Sequence, residues 1–300
     1  MDWITGIQNA ICYIEDHITE ELDYEQIARE SFSSAFHFQR VFSILCGYTL
    51  GEYIRNRRLT LAGAKLAGTR EKVIDIAYQY GYDNPESFAK AFQKFHGVTP
   101  TQARNGGVML RSFSRLSIKV SLEGGSFMNY RIEEKPAMLL TGYKRRFTGS
   151  PNDKQEQDHN FACESRFEQC ILEGTSREHE TIYQILTNFD ADGYDFYYAY
   201  QFPKWALEDL DLLPEDIQAR FEHVNIPHGL YVVCETERCQ FPTAKMDELR
   251  MQAVSQWLPT SGYELRDAPE IGVIHWFWEE GNDKLNNSRY CELWLPIKKK

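Results

Sequence analysis

Phe36, Gln39 and Arg40 stand within one five-residue stretch and carry three kinds of chemistry that suit the edges of base pairs. An arginine donates two hydrogen bonds to O6 and N7 of guanine, a glutamine binds adenine through two bonds, and an exposed phenyl ring meets the thymine methyl. Near the other end of the chain, Glu292 lies between Tyr290 and Trp294 in sequence alternation. A carboxylate between aromatic rings suits a flat or cationic organic molecule, held by stacking, cation-π attraction and one charge pair. Trp276 and Trp278, two residues apart, and Tyr143 and Tyr198, each in the middle of a strand pattern, are further candidates for the walls of such a site. Each of these residues also has a plain role open to it: solvated helix positions for the first three, core aromatics for the rest.

Reading base edges requires a helix that offers one face to a groove and buries the other. Residues 76–104 have that pattern. Ala77 and Gly81 allow two helices to cross closely through a short turn, Asn84 caps a second helix with Pro85 in its first turn, and Gly97 ends it. On this second helix Phe88, Phe92 and Phe95 form an inward stripe, while Glu86, Ser87, Lys90 and Lys94 face elsewhere. The pattern occurs about fifty residues upstream as well: Ile27-Ala28 corresponds to Ile76-Ala77, Phe38 to Phe88, Arg40 to Lys90, Phe42 to Phe92 and Gly47 to Gly97. Two helix-turn-helix units in tandem follow. Residues 50–66 between them predict a connecting helix of about 25 Å, a rod able to set two reading helices about one DNA turn apart. Ile4, Ile7, Ile11, Ile14 and Ile18, spaced alternately by three and four, predict an amphipathic first helix.

Residues 4–104 resemble the DNA-binding domain of the AraC/XylS family of bacterial transcription regulators. HFQRVF at 37–42 and AxxxGYxxxxxFxxxFxxxxGxTP at 77–100 carry the match, and Ala103 departs from it where the family usually has an aromatic residue. The resemblance implies an all-α tandem helix-turn-helix domain over 1–105 that binds double-stranded DNA. It places base contacts on Phe36, Gln39 and Arg40 of the first unit and on Asn84, Glu86, Ser87 and Lys90 of the second.

The formal net charge of −11 argues against a nucleic-acid partner until its distribution is considered. Residues 29–104 carry eleven bases and six acids, whereas residues 105–300 carry twenty-two bases and thirty-one acids. Positive charge thus collects where phosphate neutralisation needs it. Seven cysteines without a CxxC pair, and no signal peptide ahead of them, read as reduced thiols in a cytoplasmic protein. Cys234 and Cys239 match no standard ligand spacing, and no metal or cofactor is expected. No apolar run reaches the roughly twenty residues that cross a bilayer, so no membrane partner is expected either.

Glycine pairs at 106–107 and 124–125 bracket a serine-rich stretch that reads as a linker over 106–125, with one strand at 116–122. Beyond it, strands are predicted at 130–134 and 138–147, paired around Lys135-Pro136-Ala137, and at 194–202, 229–236, 271–278 and 290–297. Helices are predicted at 158–188, where Ile182, Ile185, Leu186 and Phe189 fall at helical spacing, and at 244–257. Strand, helix, strand, strand, twice over, makes an α+β domain built from duplicated β-α-β-β units with helices on one side. Residues 126–300 resemble the GyrI-like (SOUL/BmrR-type) effector-binding domain. Tyr130-Arg131-Ile132, the Trp257-Leu258-Pro259 helix end and Cys291-Glu292-Leu293-Trp294-Leu295-Pro296 carry that match. It implies a ligand groove centred on Glu292, on the helix-free face with Trp294.

The leading expectation is a transcription regulator that reads DNA and senses a small aromatic or cationic effector. A second is hydrolysis, since some stand-alone GyrI-like proteins are hydrolases and a buried Glu292 could act as a general base. No nucleophile triad, Walker loop or HExxH accompanies it, so no enzyme is expected. A third gives the second half a protein partner such as RNA polymerase.

Overall fold

The computed structural model describes residues 3–117, 128–176 and 180–300. The chain packs as two units, Met1–Gln39 with Tyr48–Glu123, and Arg40–Gly47 with Gly124–Lys300.

The first unit holds α1 (Trp3–Asp16), α2 (Tyr24–Glu30), the start of α3 (Ala35–Cys46), α4 (Leu50–Gly68), α5 (Val73–Gln79), α6 (Pro85–His96) and α7 (Pro100–Asn105). Ile7, Ile11, Ile14 and Ile18 are buried, as their spacing predicts; the side chain of Ile4 lies outside the described residues. Asp23 and Asn84 cap α2 and α6 by accepting the amides of Glu25 and Glu86, and Thr49 with Glu52 forms a reciprocal capping box on α4. Gly97 ends α6 in the left-handed conformation at φ 78°. Leu59 and Leu66 of α4, Ile76 and Ala77 of α5, Phe88 and Phe92 of α6 and Ala103 of α7 close one core.

The stretch read as a linker is packed along α4 as far as it is described. Leu110 joins the core just described, Phe113 donates its amide to Thr60 and accepts from Arg57, and Leu116 donates to the Tyr53 hydroxyl. Arg111 donates its amide to Nδ1 of His96, whose Nε2 lies 3.0 Å from the carbonyl oxygen of Leu59. Nδ1 therefore accepts and Nε2 carries the proton, a neutral state that burial favours by lowering the His96 pKa. The expected strand at 116–122 is not formed at 116–117, and 118–122 lie outside the described residues. Gly63 makes room for the imidazole: a Cβ there would stand 2.8 Å from the ring. Gly63→Ala pushes the ring off both partners, an expected loss of about 1–3 kcal/mol measurable by urea unfolding.

The second unit is a curled antiparallel sheet. Its strands are β1 (Tyr130–Lys135), β2 (Met138–Thr148), β3 (Thr181–Thr187), β4 (Gly193–Tyr200), β5 (Glu222–Ile226), β6 (Gly229–Glu235), β7 (Tyr263–Leu265), β8 (Glu270–His275) and β9 (Tyr290–Lys299). They run in the order β1-β6-β9-β8-β3-β4-β2-β5, with β7 added on β9. Helices α8 (Gln155–Glu164), α9 (Arg166–Ser176), α10 (Lys204–Leu210), α11 (Glu215–Gln218) and α12 (Met246–Gln252) connect them. The duplication is visible in the order: β2-α-β3-β4 and β6-α-β8-β9 are equivalent, and they meet at the β8–β3 pair.

Two expectations are corrected here. Residues 181–187 are a strand, not the end of a helix. As a central strand β3 is buried on both sides, with Tyr183 and Ile185 to one and Ile182, Gln184 and Leu186 to the other, so its apolar run only mimics helical spacing. Nor do β1 and β2 pair with each other: β1 pairs with β6, and β2 pairs with β4 and β5. None of Lys135, Pro136 and Ala137 has the positive φ that a tight hairpin turn requires, and the chain passes instead into the other half of the sheet.

Both faces of the sheet carry core. Phe161 of α8 and Leu172 of α9 pack on Tyr143, Phe147, Leu186 and Phe196, and Met246 of α12 reaches Gly272 on the same face. On the opposite face the curl gathers Leu140, Val224, Tyr231, Ile271 and Trp294 into a second cluster.

Candidate functional site

The helix-bearing face of the sheet holds a cavity of about 660 Å³, within the range typical of small-molecule sites. Strand β2 places Tyr143 in its wall, β4 places Tyr198 and Tyr200, and the segment after β8 contributes Trp276 and Trp278. Three carboxylates join these rings: Asp158 from α8, Glu173 from α9 and Glu180 just before β3. Tyr143 and Tyr198 are directly opposed in register, with ring centroids 5.9 Å apart. Burial raises the pKa of Tyr143, Tyr198 and Tyr200, so their hydroxyls stay protonated and act as donors. The Tyr198 hydroxyl donates to Asp158, and that of Tyr200 donates to Glu173 at 2.9 Å. Gln169 adds a bond to the same Glu173 oxygen at 2.8 Å.

Behind Asp158 lies a residue that sequence reasoning missed. Lys154 is buried, with Nζ 3.2 Å from Gln184 Oε1, 3.7 Å from Asp158 Oδ2 and 4.5 Å from the centre of the Phe196 ring. Burial lowers its pKa, and the charge of Asp158 works against that. Nothing in the polar run Asn152-Asp153-Lys154-Gln155 marks this lysine as internal.

Of the six side chains expected to contact a ligand, Tyr143, Tyr198, Trp276 and Trp278 line the cavity together. Glu292 and Trp294 do not. In register with Val273 and Ile271, they sit on the opposite face, where Glu292 accepts from Arg131 at 2.8 Å and from the Trp294 indole at 2.6 Å. Trp294 packs edge-on to Tyr183 and Tyr231, and Lys135 lies 4.1 Å over its ring. The carboxylate that needs a partner is thus served by Arg131, 161 residues away in sequence.

The residues expected to read bases divide differently. Asn84, Glu86, Ser87 and Lys90 are exposed at the start of α6, although the Asn84 side-chain oxygen is engaged as the cap. Phe36 and Gln39 are half-buried at the start of α3. Arg40 is corrected: it is 1 % exposed, and its Nη2 donates to Glu270 at 2.6 Å, with the guanidinium 4.9 Å from the centre of the Phe189 ring. The sequence holds a signal for this. From Phe38 onward α3 is apolar on nearly every side, through Val41, Phe42, Ile44, Leu45 and Cys46, whereas α6 keeps Lys90, Gln93 and Lys94 on a polar face. Arg57 and Arg58 are engaged inside the first unit by Glu15 and by the carbonyls of Ile18 and Glu20.

Glu270 is shared. Its second oxygen accepts from Arg250 Nε at 2.6 Å, and Arg250 also pairs with Asp247 at 2.7 Å. Burial alone raises the Glu270 carboxyl, but Arg250 and Arg40 together hold it below its ordinary value. Burial lowers the pKa of Arg40 although Glu270 works against it, while Arg250, beside Glu270 and Asp247, is raised despite burial; both remain charged.

Comparison with known proteins bears on both units. Residues 27–106 match the family model described as a helix-turn-helix domain, and residues 131–297 match that of the integron-associated effector binding protein. The transcriptional activator AarP of Providencia stuartii is 41% identical over 98 residues, 33% of this chain and 73% of AarP. The regulatory protein SoxS of Escherichia coli is 36% identical over 99 residues, 33% of this chain and 92% of SoxS. The chain is an AraC-type transcription regulator with an effector-binding domain of the integron-associated family. A solved structure of SAV2435 bound to tetraphenylphosphonium aligns with 57% of the regulator and 94% of its own chain, at 16% identity and a TM-score of 0.39. Among the described residues of the regulator, no helix is long and apolar enough to cross a membrane.

Proposed function

We propose that the regulator senses an organic cation with an aromatic body, taken into the cavity between α8, α9 and the Trp276–Trp278 segment. One observation carries this reading: three carboxylates stand among five aromatic rings, and no Lys, Arg or His lines the cavity among the described residues. The rings supply apolar contact and cation-π attraction, and the carboxylates supply the charge. Base reading falls to the exposed side of α6, through Glu86, Ser87 and Lys90 with Asn84 at its start, and to Phe36 and Gln39 on α3.

Calorimetric titration of the full-length regulator with tetraphenylphosphonium and with neutral triphenylphosphine oxide tests the cavity. The cation is expected to bind at least about tenfold more tightly, the order of one charge-assisted contact. Equal affinities would mean that the cavity does not read charge, and the reading would fall.

A further inference from the structure

Lys154 lies between the cavity and the loop that holds the last turns of α3. On one side, it is bonded to Gln184 and lies 3.7 Å from Asp158, both of which line the cavity. On the other, it ends a loop that holds residues 43 and 44 of α3. Ser150 donates to the carbonyl of Ser43 at 2.8 Å, and Asn152 donates to that of Ile44 at 3.3 Å. Arg250 joins this loop through Asn152 Oδ1 at 3.1 Å while gripping Glu270, the partner of Arg40. Residues 40–47 pack as part of this same unit.

An ammonium held by one amide oxygen, one carboxylate and a phenyl face is an internal cation already in position. A cationic effector that enters the cavity meets Asp158 with that charge behind it. The two cations compete for one carboxylate, and like charges at close range in a buried site repel strongly. We propose that Lys154 is the relay of the regulator: an effector cation displaces it from Asp158, and the displaced ammonium turns toward Glu270 and Asp247 and loosens their hold on Arg40 and Arg250. The loop from Ser150 to Lys154 then shifts with it, and the turn of α3 that it holds shifts too. The charges of Asp247, Glu270 and Arg250 already act on Lys154, as the relay requires. The relay rests on the reading of the cavity as a cation site. It adds how occupancy leaves that site, and an effector can act only through a difference in its affinity for the two arrangements.

The experiment uses the full-length protein, tetraphenylphosphonium, and a duplex that the wild type selects from a random pool. In the wild type, saturating probe is expected to change duplex affinity by about fivefold or more, an ordinary coupling magnitude. In Lys154→Met the competitor for Asp158 is gone. Probe binding is therefore expected to tighten by about tenfold, while the probe no longer changes duplex affinity. Tighter binding with a lost response is a combination that a merely damaged cavity does not give. Lys154→Arg, which keeps the charge, should keep the response. Should Lys154→Met not fold, Lys154→Gln replaces it with the same expected outcomes. A Lys154 variant that responds to the probe as the wild type does overturns the relay alone. Failure of the wild type to bind the probe overturns the cavity reading and the relay with it.

Discussion

Glu270→Ala is expected to lower the stability of the regulator by about 3–5 kcal/mol in equilibrium urea unfolding, the range for removing one partner of a buried ion pair. The magnitude follows from what the substitution leaves behind. Glu270 is fully buried and accepts from Arg40 and Arg250 through separate oxygens, both at 2.6 Å. Without it, Arg250 keeps Asp247, but Arg40 loses the carboxylate it faces while remaining enclosed. The pH dependence has a definite sign. Because the folded carboxyl lies below its ordinary value, its contribution is present above the unfolded pKa of about 4.3 and is lost as pH falls through the folded value. The acid limb of the stability curve should therefore be shallower in Glu270→Ala than in the wild type. A variant within about 1 kcal/mol of the wild type, with the same acid limb, would show that the two arginines draw little from Glu270.

Glu173→Gln is expected to weaken tetraphenylphosphonium binding by about ten- to a hundredfold, the worth of one contact to a charged group. Glu292→Gln should leave it unchanged. Glu173 borders the cavity and, among the described residues, accepts only from the neutral Tyr200 and Gln169, both of which the amide oxygen of a glutamine can still serve. The substitution thus removes the charge and keeps the frame. Glu292 lies on the other face of the sheet, where its charge answers Arg131. Arg131 keeps Glu133 and Glu235 and is partly exposed, so Glu292→Gln should cost about 1 kcal/mol of stability or less. Calorimetry on the two variants separates the assignments. The reverse outcome, with Glu292→Gln abolishing binding and Glu173→Gln preserving it, would move the ligand to the opposite face.

What could be read from the sequence was local. The cap at Asn84, the stop at Gly97 and the inward Phe88 and Phe92 each depend on neighbours within two helical turns, and each is found as expected. The sheet was legible strand by strand where the residue types alternate, as in β9, whose Glu292 interrupts a run buried on both faces. It was not legible where burial on both sides erases alternation, as in β3. Partners far apart in sequence were out of reach. Arg131 answers Glu292 across 161 residues, and Glu270 answers Arg40 across 230. Each case involved a charged residue whose ordinary place is the surface, so burial became visible only once its counter-ion was placed. The cavity was half legible for the same reason: its rings announced themselves as aromatic strand residues, while Asp158 and Glu173 looked like any acids on an exposed helix.

The exchange of leading strands has a consequence for how the effector-binding half came to be and how it comes apart. Strand β1 precedes β2 in the chain yet lies against β6, and β5 precedes β6 yet lies against β2. Cutting the polypeptide midway would rob each fragment of an edge and hand it one that belongs to its twin. The repeats are therefore not autonomous modules laid end to end, and the unit should melt in a single cooperative step. With pairings that span a hundred residues, it should also refold slowly.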